Sequence, residues 1–174
     1  MWMFVRQLGA IAALPGLVAV VVPLWLARQN HVVLTAPPDL TTALVQVAGI
    51  GLLAIGLLLF SASLYYFWSR GRGTLAPWDP PRLFVIDGPY RFVRNPMISG
   101  VIFVLLGEAA VLRSRPHAVW AGLVILINVL YIPAIEEPML AERFGESYLQ
   151  YTRGVRRFLP RLSAWTPDAH RIER

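Results

Sequence analysis

Four long apolar stretches constrain this chain more than any other feature of its sequence. They cover residues 8–27, 41–68, 96–112 and 118–135. A helix needs about 20 mostly apolar residues to cross the hydrocarbon core of a bilayer, so the first two stretches are long enough and the last two lie near the lower limit. The pattern predicts an all-α integral membrane protein with about four transmembrane helices, the last two paired as a tight hairpin.

Composition supports this class. Hydrophobic residues make up 56% of the 174 residues and charged residues only 15%, whereas a soluble domain carries about 25% charged residues. The first stretch is too long for the apolar part of a cleaved signal peptide, so we expect an anchor. Cysteine is absent and only three scattered histidines occur, which argues against disulfides and metal sites. No lysine is present for Schiff-base chemistry.

Arginine sets the expected orientation. Thirteen of the sixteen basic residues fall before the first stretch, between the second and third, or after the fourth. The positive-inside rule makes that side cytoplasmic, with both termini inside. The net charge of +6 suits the anionic surface of a membrane better than a nucleic acid. These thirteen arginines are Arg6, Arg70, Arg72, Arg82, Arg91, Arg94, Arg143, Arg153, Arg156, Arg157, Arg161, Arg171 and Arg174.

The third stretch begins with a recognisable helix start on the cytoplasmic side. Asn95 is a favoured N-cap residue, and Pro96 suits the first helical position. A helix N-terminus attracts carboxylate or phosphate groups, and Arg91 and Arg94 add positive charge beside it. The alternative is a capped helix whose arginines contact lipid headgroups.

Two adjacent carboxylates, Glu136 and Glu137, follow the fourth stretch at its cytoplasmic end. Ionisable groups at membrane depth are costly, so the pair predicts a binding role. On a helix the two side chains point in different directions and would serve different partners. The alternative is that they cap a new helix starting at Pro138 and pair with Arg94 or Arg143.

Beyond Pro138, apolar and aromatic side chains recur at helical spacing. The pattern of Leu140, Phe144, Tyr148 and Tyr151 predicts one C-terminal amphipathic helix on the cytoplasmic side. The arginine-rich run that follows, residues 153–161, is expected to bind anionic headgroups.

One acidic residue lies inside the third stretch. We expect Glu108 to reach toward the outer surface or to pair with Arg113.

Together these segments resemble a known family. The run GPYRFVRNPMISG, a helical hairpin and then EEPMLAERFGESYLQYTRGVRRFLPR resemble the isoprenylcysteine carboxyl methyltransferases and the related phospholipid methyltransferases. The loop GRGTLAPWDPP is similar to that of bacterial members. The resemblance covers about residues 70–161 and implies that they hold the cofactor-binding motifs of a protein of the bacterial inner membrane. Chain length allows one domain over residues 1–174, in which hydropathy places two N-terminal spans in 1–69.

The resemblance also implies a reaction. Its cofactor would be S-adenosylmethionine, bound at the cytoplasmic ends of the last two spans and covered by the C-terminal segment. The acceptor would be lipid-like, a prenylcysteine-type carboxylate or a phospholipid, with membrane lipids as partners and no nucleic acid or metal. Asn95 stands where the family usually has histidine, so an imidazole contributes nothing there. The implied catalytic residues are Arg94 and Glu137, and the implied cofactor-binding residues are Tyr90, Arg94, Asn95, Pro96, Gly100, Glu136 and Glu137.

Two other functions are compatible with the same residues. A membrane reductase would use the arginines to bind the 2′-phosphate of NADPH, although two adjacent carboxylates would repel a polyphosphate. A non-catalytic assembly or transport protein would more often place charge at the middle of the bilayer than at helix ends.

Overall fold

The computed structural model describes residues 12–71 and 83–166, and the regular structure within these ranges is helical. Most of the loop GRGTLAPWDPP, as well as Arg6, Arg171 and Arg174, lies outside the described residues. A π-helical segment, Ala12–Val21, leads into α1 (Val22–Gln29). The following helices are α2 (Leu40–Gly71), α3 (Pro96–Leu112), α4 (Arg115–Tyr131), α5 (Glu137–Phe144) and α6 (Glu146–Gly154).

Two helices have the length and apolar character needed to cross a membrane. These are α2, with 32 residues, and the continuous helix Arg115–Phe144, with 30. Only 17% of the most apolar window of each is buried, whereas the core helix of a soluble protein would be mostly buried. Large apolar side chains such as Leu58 and Val119 remain exposed, which suits contact with lipid. Pro15–Gln29 and Pro96–Leu112 are apolar but shorter.

The helix bounds confirm most of the predicted stretches and correct one. The third stretch coincides with α3. The fourth starts three residues earlier than expected and does not end at residue 135, because a π-helical turn, Ile132–Glu136, joins α4 to α5. Pro138 therefore does not begin a separate helix. Since proline cannot donate to the carbonyl four residues before it, the helix widens locally instead of ending.

The expectation of one amphipathic C-terminal helix is wrong in its continuity. Gly145 interrupts it between α5 and α6 with a φ of +57°, a conformation that residues with a Cβ rarely adopt. The apolar face is nevertheless real. Leu140 and Phe144 from α5 pack on the buried Tyr148 and Tyr151 from α6.

Helices α2 and α3 approach each other at glycine. A Cβ on Gly56 would lie 2.7 Å from the Gly100 carbonyl oxygen, and one on Gly107 would lie 2.8 Å from the Gly49 carbonyl oxygen. Such distances are shorter than van der Waals contact, so only glycine allows these backbones to touch. The close contact fixes where α3 begins relative to α2.

The continuous apolar helix Pro15–Gln29, which joins the π-helical segment to α1, is called the first helix below. It is attached to α4 by side-chain hydrogen bonds. The Trp120 indole donates to the Val18 carbonyl oxygen at 3.0 Å, and Nε2 of the buried His117 lies 3.1 Å from the Pro23 carbonyl oxygen. These bonds and the buried Val101, Leu105, Ala121 and Val124 hold the first helix, α3 and α4 together.

The expectation for Glu108 is also wrong. Its Oε2 atom is buried and has no hydrogen-bond partner. The Arg113 guanidinium instead donates to the Thr35 hydroxyl. Arg113, the C-cap residue of α3, has a left-handed backbone conformation, so the chain turns there. Its side chain therefore binds the loop that follows α1.

Candidate active site

A buried carboxylate lies at the centre of the polar cluster where α3 begins and α5 begins. Glu137 Oε1 accepts a hydrogen bond from Arg94 Nη1 at 2.7 Å. Arg157 grips the same carboxylate with two bonds, Nε to Oε1 at 2.8 Å and Nη2 to Oε2 at 2.6 Å. The side chains of Arg94 and Glu137 are only 15% and 14% exposed. Two-pronged contacts between arginine and carboxylate are among the strongest polar interactions in proteins.

Arg94 is held in place by more than this ion pair. Its Nε donates to the Val155 carbonyl oxygen at 2.8 Å, and its backbone N–H donates to the Arg156 carbonyl oxygen at 3.0 Å. Arg94 lies two residues before Pro96, the first residue of α3. The start of α3 and the C-terminal segment therefore share one anchor.

That segment, residues 155–165, is called the C-terminal strap below. It runs antiparallel to residues 91–94. The Arg161 and Trp165 N–H groups donate to the carbonyl oxygens of Phe92 and Arg91, each at 2.9 Å, and Arg91 Nε returns a bond to the Trp165 carbonyl oxygen at 2.7 Å. The strap thus covers the chain just before α3.

Three tyrosines border the cluster. The Tyr151 hydroxyl donates to the Tyr90 carbonyl oxygen at 2.6 Å. Burial, and then the nearby Glu137 carboxylate, raise the pKa of Tyr148 to about 12. Burial also raises the pKa of both Tyr90 and Tyr151. Phenols with raised pKa values stay protonated at neutral pH, so these three side chains do not act as bases there.

Glu136 differs from its neighbour. It lies one residue before Glu137 at the end of the π-helical turn and, among the described residues, forms no hydrogen bond or ion pair. Its charge is close enough to the buried Tyr90 to raise the pKa of that phenol further. A half-buried carboxylate of this kind is suited to accept a bond from a ligand.

The structure brings most of the sequence-predicted site residues to one end of the helices. Asn95 occupies the N-cap position of α3 but its side chain makes no capping bond, which corrects the expected cap. Gly100 is buried against α2, where its Cα faces the backbone of Phe60. Its role in the structure is helix packing, and its predicted contact with a cofactor stays a prediction.

Sequence reasoning missed Arg157 as a partner of Glu137. It assigned the arginines of residues 153–161 to lipid headgroups, but Arg157 binds Glu137 and Arg161 donates to the Gly154 carbonyl oxygen. A buried carboxylate requires a cation, and that requirement was visible in the sequence. Which arginine meets it depends on the path of the strap.

A known protein family matches the part of the chain that contains most of this cluster. The family model of the phospholipid methyltransferases matches residues 44–147, more than half of the chain. The chain belongs to the phospholipid methyltransferase family. No curated protein and no solved structure matched the chain in the corresponding searches.

Membership of the phospholipid methyltransferase family confirms the resemblance inferred from the motifs. Together with the two long apolar helices, it makes this chain a membrane methyltransferase. The matched region runs from α2 into α6 and contains Arg94, Glu136 and Glu137. Arg157 and the strap lie beyond it.

Proposed function

We propose that this methyltransferase moves a methyl group from S-adenosylmethionine to a lipid-like acceptor at the cytoplasmic face of the membrane. One observation carries the proposal. Glu137 is neutralised by Arg94, two residues before the start of α3, and by Arg157, while the adjacent Glu136 has no hydrogen-bond or ion-pair partner among the described residues.

The residues present fit the methionine end of that cofactor, which carries an α-ammonium and an α-carboxylate. Glu136 would accept from the ammonium. The carboxylate would lie at the N-terminus of α3, where the first N–H groups have no intrahelical acceptor and the Asn95 side chain does not cap them. Further N–H groups of the Arg94 guanidinium are available there, since Arg94 has five donors and its bonds to Val155, Glu137 and Tyr148 use three of them.

Glu137 has a different role in this proposal. Its two oxygens are both bonded to arginine, so it positions Arg94 and fixes the strap instead of contacting the cofactor. This division revises the expectation that Glu136 and Glu137 both bind the cofactor directly.

The cofactor, when bound, supplies an activated methyl group on a sulfonium. The chain's contribution is to hold donor and acceptor in line and to exclude water. The strap and the aromatic side chains of Tyr148 and Tyr151 form an apolar cover for this purpose. No described basic side chain in the cluster is suited to take a proton, because its cations are arginines.

That property bears on the acceptor. A carboxylate is ionised at neutral pH and needs no base, whereas a phospholipid amine must lose a proton before it attacks. We therefore infer a lipid-like acceptor that needs no base, of the prenylcysteine carboxylate type, with a phospholipid as the second candidate. Such an acceptor would enter sideways from the bilayer between helices.

The proposal includes a topology of four spans, with the first helix and α3 as short spans beside α2 and the helix Arg115–Phe144. Both termini and the polar cluster would be cytoplasmic. The arginine asymmetry supports this orientation, and membrane lipids are then the expected partners.

Two measurements test the function. Calorimetry in detergent should detect binding of S-adenosylhomocysteine and no binding of NADPH; the reverse would favour a reductase, and no binding of either would favour a non-catalytic protein. Transfer of labelled methyl from S-adenosylmethionine into a total lipid extract, with mass identification of the product, then names the acceptor. The proposal would be refuted if the extract incubated with the protein contained no more labelled lipid than the extract incubated without it.

A further inference from the structure

A half-open, mostly apolar cavity lies at the opposite end of the helices from the Arg94–Glu137 cluster. It has a volume of about 180 Å³ and lies between the first helix, α3 and α4. Its walls are mostly apolar, with Ala19, Pro23 and Leu24 on one side and Leu112 on another, and it also includes Glu108 and His117. By helix rise, Glu108 is about 18 Å along α3 from Pro96, so this cavity is separate from the candidate active site.

Glu108 makes this cavity unusual. Its Oε2 atom is buried and has no hydrogen-bond partner. Buried polar atoms without a partner are rare in proteins and call for a physical explanation. Arg113, in the turn that follows α3, is engaged with the Thr35 hydroxyl.

His117 does not neutralise the carboxyl group either. Its Nδ1 lies 2.7 Å from the Ser114 hydroxyl oxygen and its Nε2 lies 3.1 Å from the Pro23 carbonyl oxygen. Both ring nitrogens therefore have partners elsewhere. Among the described residues that line the cavity, Glu108 carries the one carboxyl group, and its Oε2 atom has no hydrogen-bond partner.

We propose that this cavity binds a primary ammonium group attached to an apolar body, with Glu108 as its counter-ion. A carboxylate in apolar surroundings is stabilised most by a cation that also donates hydrogen bonds. The cavity is of the size that accommodates a ring such as benzene, for which a volume of about 150 Å³ is sufficient. The ligand can be a free amine or the ammonium end of a membrane amphiphile, since both present the same group.

A series of matched probes tests the charge requirement on the full-length purified protein in detergent. Benzylamine, benzyl alcohol and toluene share a ring and differ in the polar group. We expect benzylamine to bind wild type at least tenfold more tightly than the other two, measured by calorimetry. We expect Glu108→Gln, which keeps the shape and removes the charge, to lose that preference.

Two controls separate this site from the active site and from misfolding. Glu108→Gln should bind S-adenosylhomocysteine as wild type does, and Glu136→Gln should keep its affinity for benzylamine. Leu112→Phe, which fills the cavity without changing its charge, should also weaken benzylamine binding.

Dodecylamine distinguishes the source of the ligand. Stabilisation of wild type at much lower concentrations of dodecylamine than of benzylamine would indicate a membrane-borne amphiphile, whereas equal or weaker stabilisation by dodecylamine would indicate a free amine; either effect must disappear in Glu108→Gln. Equal binding of the three ring probes, or unchanged amine binding in Glu108→Gln, would overturn the proposal.

Discussion

Glu136 and Glu137 are adjacent in the chain but have different surroundings. Glu137 is bonded to Arg94 and Arg157 on both of its oxygens, while Glu136 forms no such bond among the described residues. The difference arises because consecutive residues on a helix point about 100° apart. One residue then stabilises the fold, and we propose that the other binds the cofactor.

Because Glu136 and Glu137 have different surroundings, the same substitution should affect ligand binding at one position and stability at the other. Glu136→Gln should raise the dissociation constant of S-adenosylhomocysteine about ten- to a hundred-fold, because one charge-assisted hydrogen bond is worth about 1.5–3 kcal/mol. Its free energy of unfolding should not change. Glu137→Gln should lower the free energy of unfolding by about 3 kcal/mol, since two arginines lose their buried partner.

Calorimetry and denaturant unfolding in detergent measure the two quantities on the same preparations. Arg153→Gln is a suitable control, because its pair with Glu146 is exposed and 3.7 Å long and should contribute little. Identical affinity for the ligand in wild type and Glu136→Gln would remove Glu136 from the site.

Tyr148 predicts an alkaline limit to stability. Its phenol has a pKa of 10.0 in an unfolded chain and about 12 in the fold. Between these values the unfolded state binds fewer protons than the folded state, so stability falls as pH rises above 10. Unfolding measurements from pH 8 to about 12 should show this loss, and Tyr148→Phe should reduce its slope. Equal slopes for the two proteins would contradict the assignment.

At the scale of elements, the position of α3 depends on glycine. Gly56 and Gly100 let the backbones of α2 and α3 touch, and this contact determines where the N-terminus of α3 lies. Arg94 and Asn95 immediately precede that N-terminus, so the geometry of the polar cluster depends on helix packing about one turn along α3.

Two glycines of α2 make a matched test of this dependence. In Gly56→Ala the new methyl would lie 2.7 Å from the Gly100 carbonyl oxygen and 2.8 Å from the Val104 nitrogen, so the helices must separate. We expect a loss of about 1–3 kcal/mol in stability and weaker S-adenosylhomocysteine binding. Gly51 has open space around its Cβ position, so Gly51→Ala should be neutral or stabilising by up to about 1 kcal/mol. Similar stabilities for both variants would show that the helices do not need this contact.

At the scale of the whole molecule, polar groups gather at the two ends of the helices. One end holds the Arg94–Glu137–Arg157 cluster and the strap. At the other end Gln46 donates to the carbonyl oxygens of Thr35 and Val111, at 3.0 and 3.1 Å, and so closes the loop after α1 against α3. Apolar surface lies between these ends.

The proposed orientation is testable because the chain has no native cysteine. Single cysteines at two exposed positions, Ala36→Cys and Ser163→Cys, should react with a membrane-impermeant maleimide from opposite sides. We expect Ala36→Cys to react in intact cells. Ser163→Cys should react only after the membrane is permeabilised, which lets the reagent reach the cytoplasmic face. Reaction of both from one side would refute an odd number of crossings between them, and the reverse pattern would invert the orientation.

Local chemistry in the sequence determined the helices and the family. The bounds of α3 follow from an apolar run that begins at Asn95–Pro96, and both signals are contained within a few residues. The motifs around Arg94 and Glu136–Glu137 are equally local, and the family comparison confirmed the family that they resemble. The two long apolar helices and the membrane methyltransferase class could therefore be predicted without the structure.

Only the tertiary structure decided which groups are paired. Arg157 reaches Glu137 because the strap returns antiparallel along residues 91–94, and no periodic pattern encodes that path. Gly100 packs on α2, and Glu108 keeps an unpaired oxygen, for the same reason. A helix forms from contacts between near neighbours in sequence, whereas the partner of a buried charge depends on where distant segments meet.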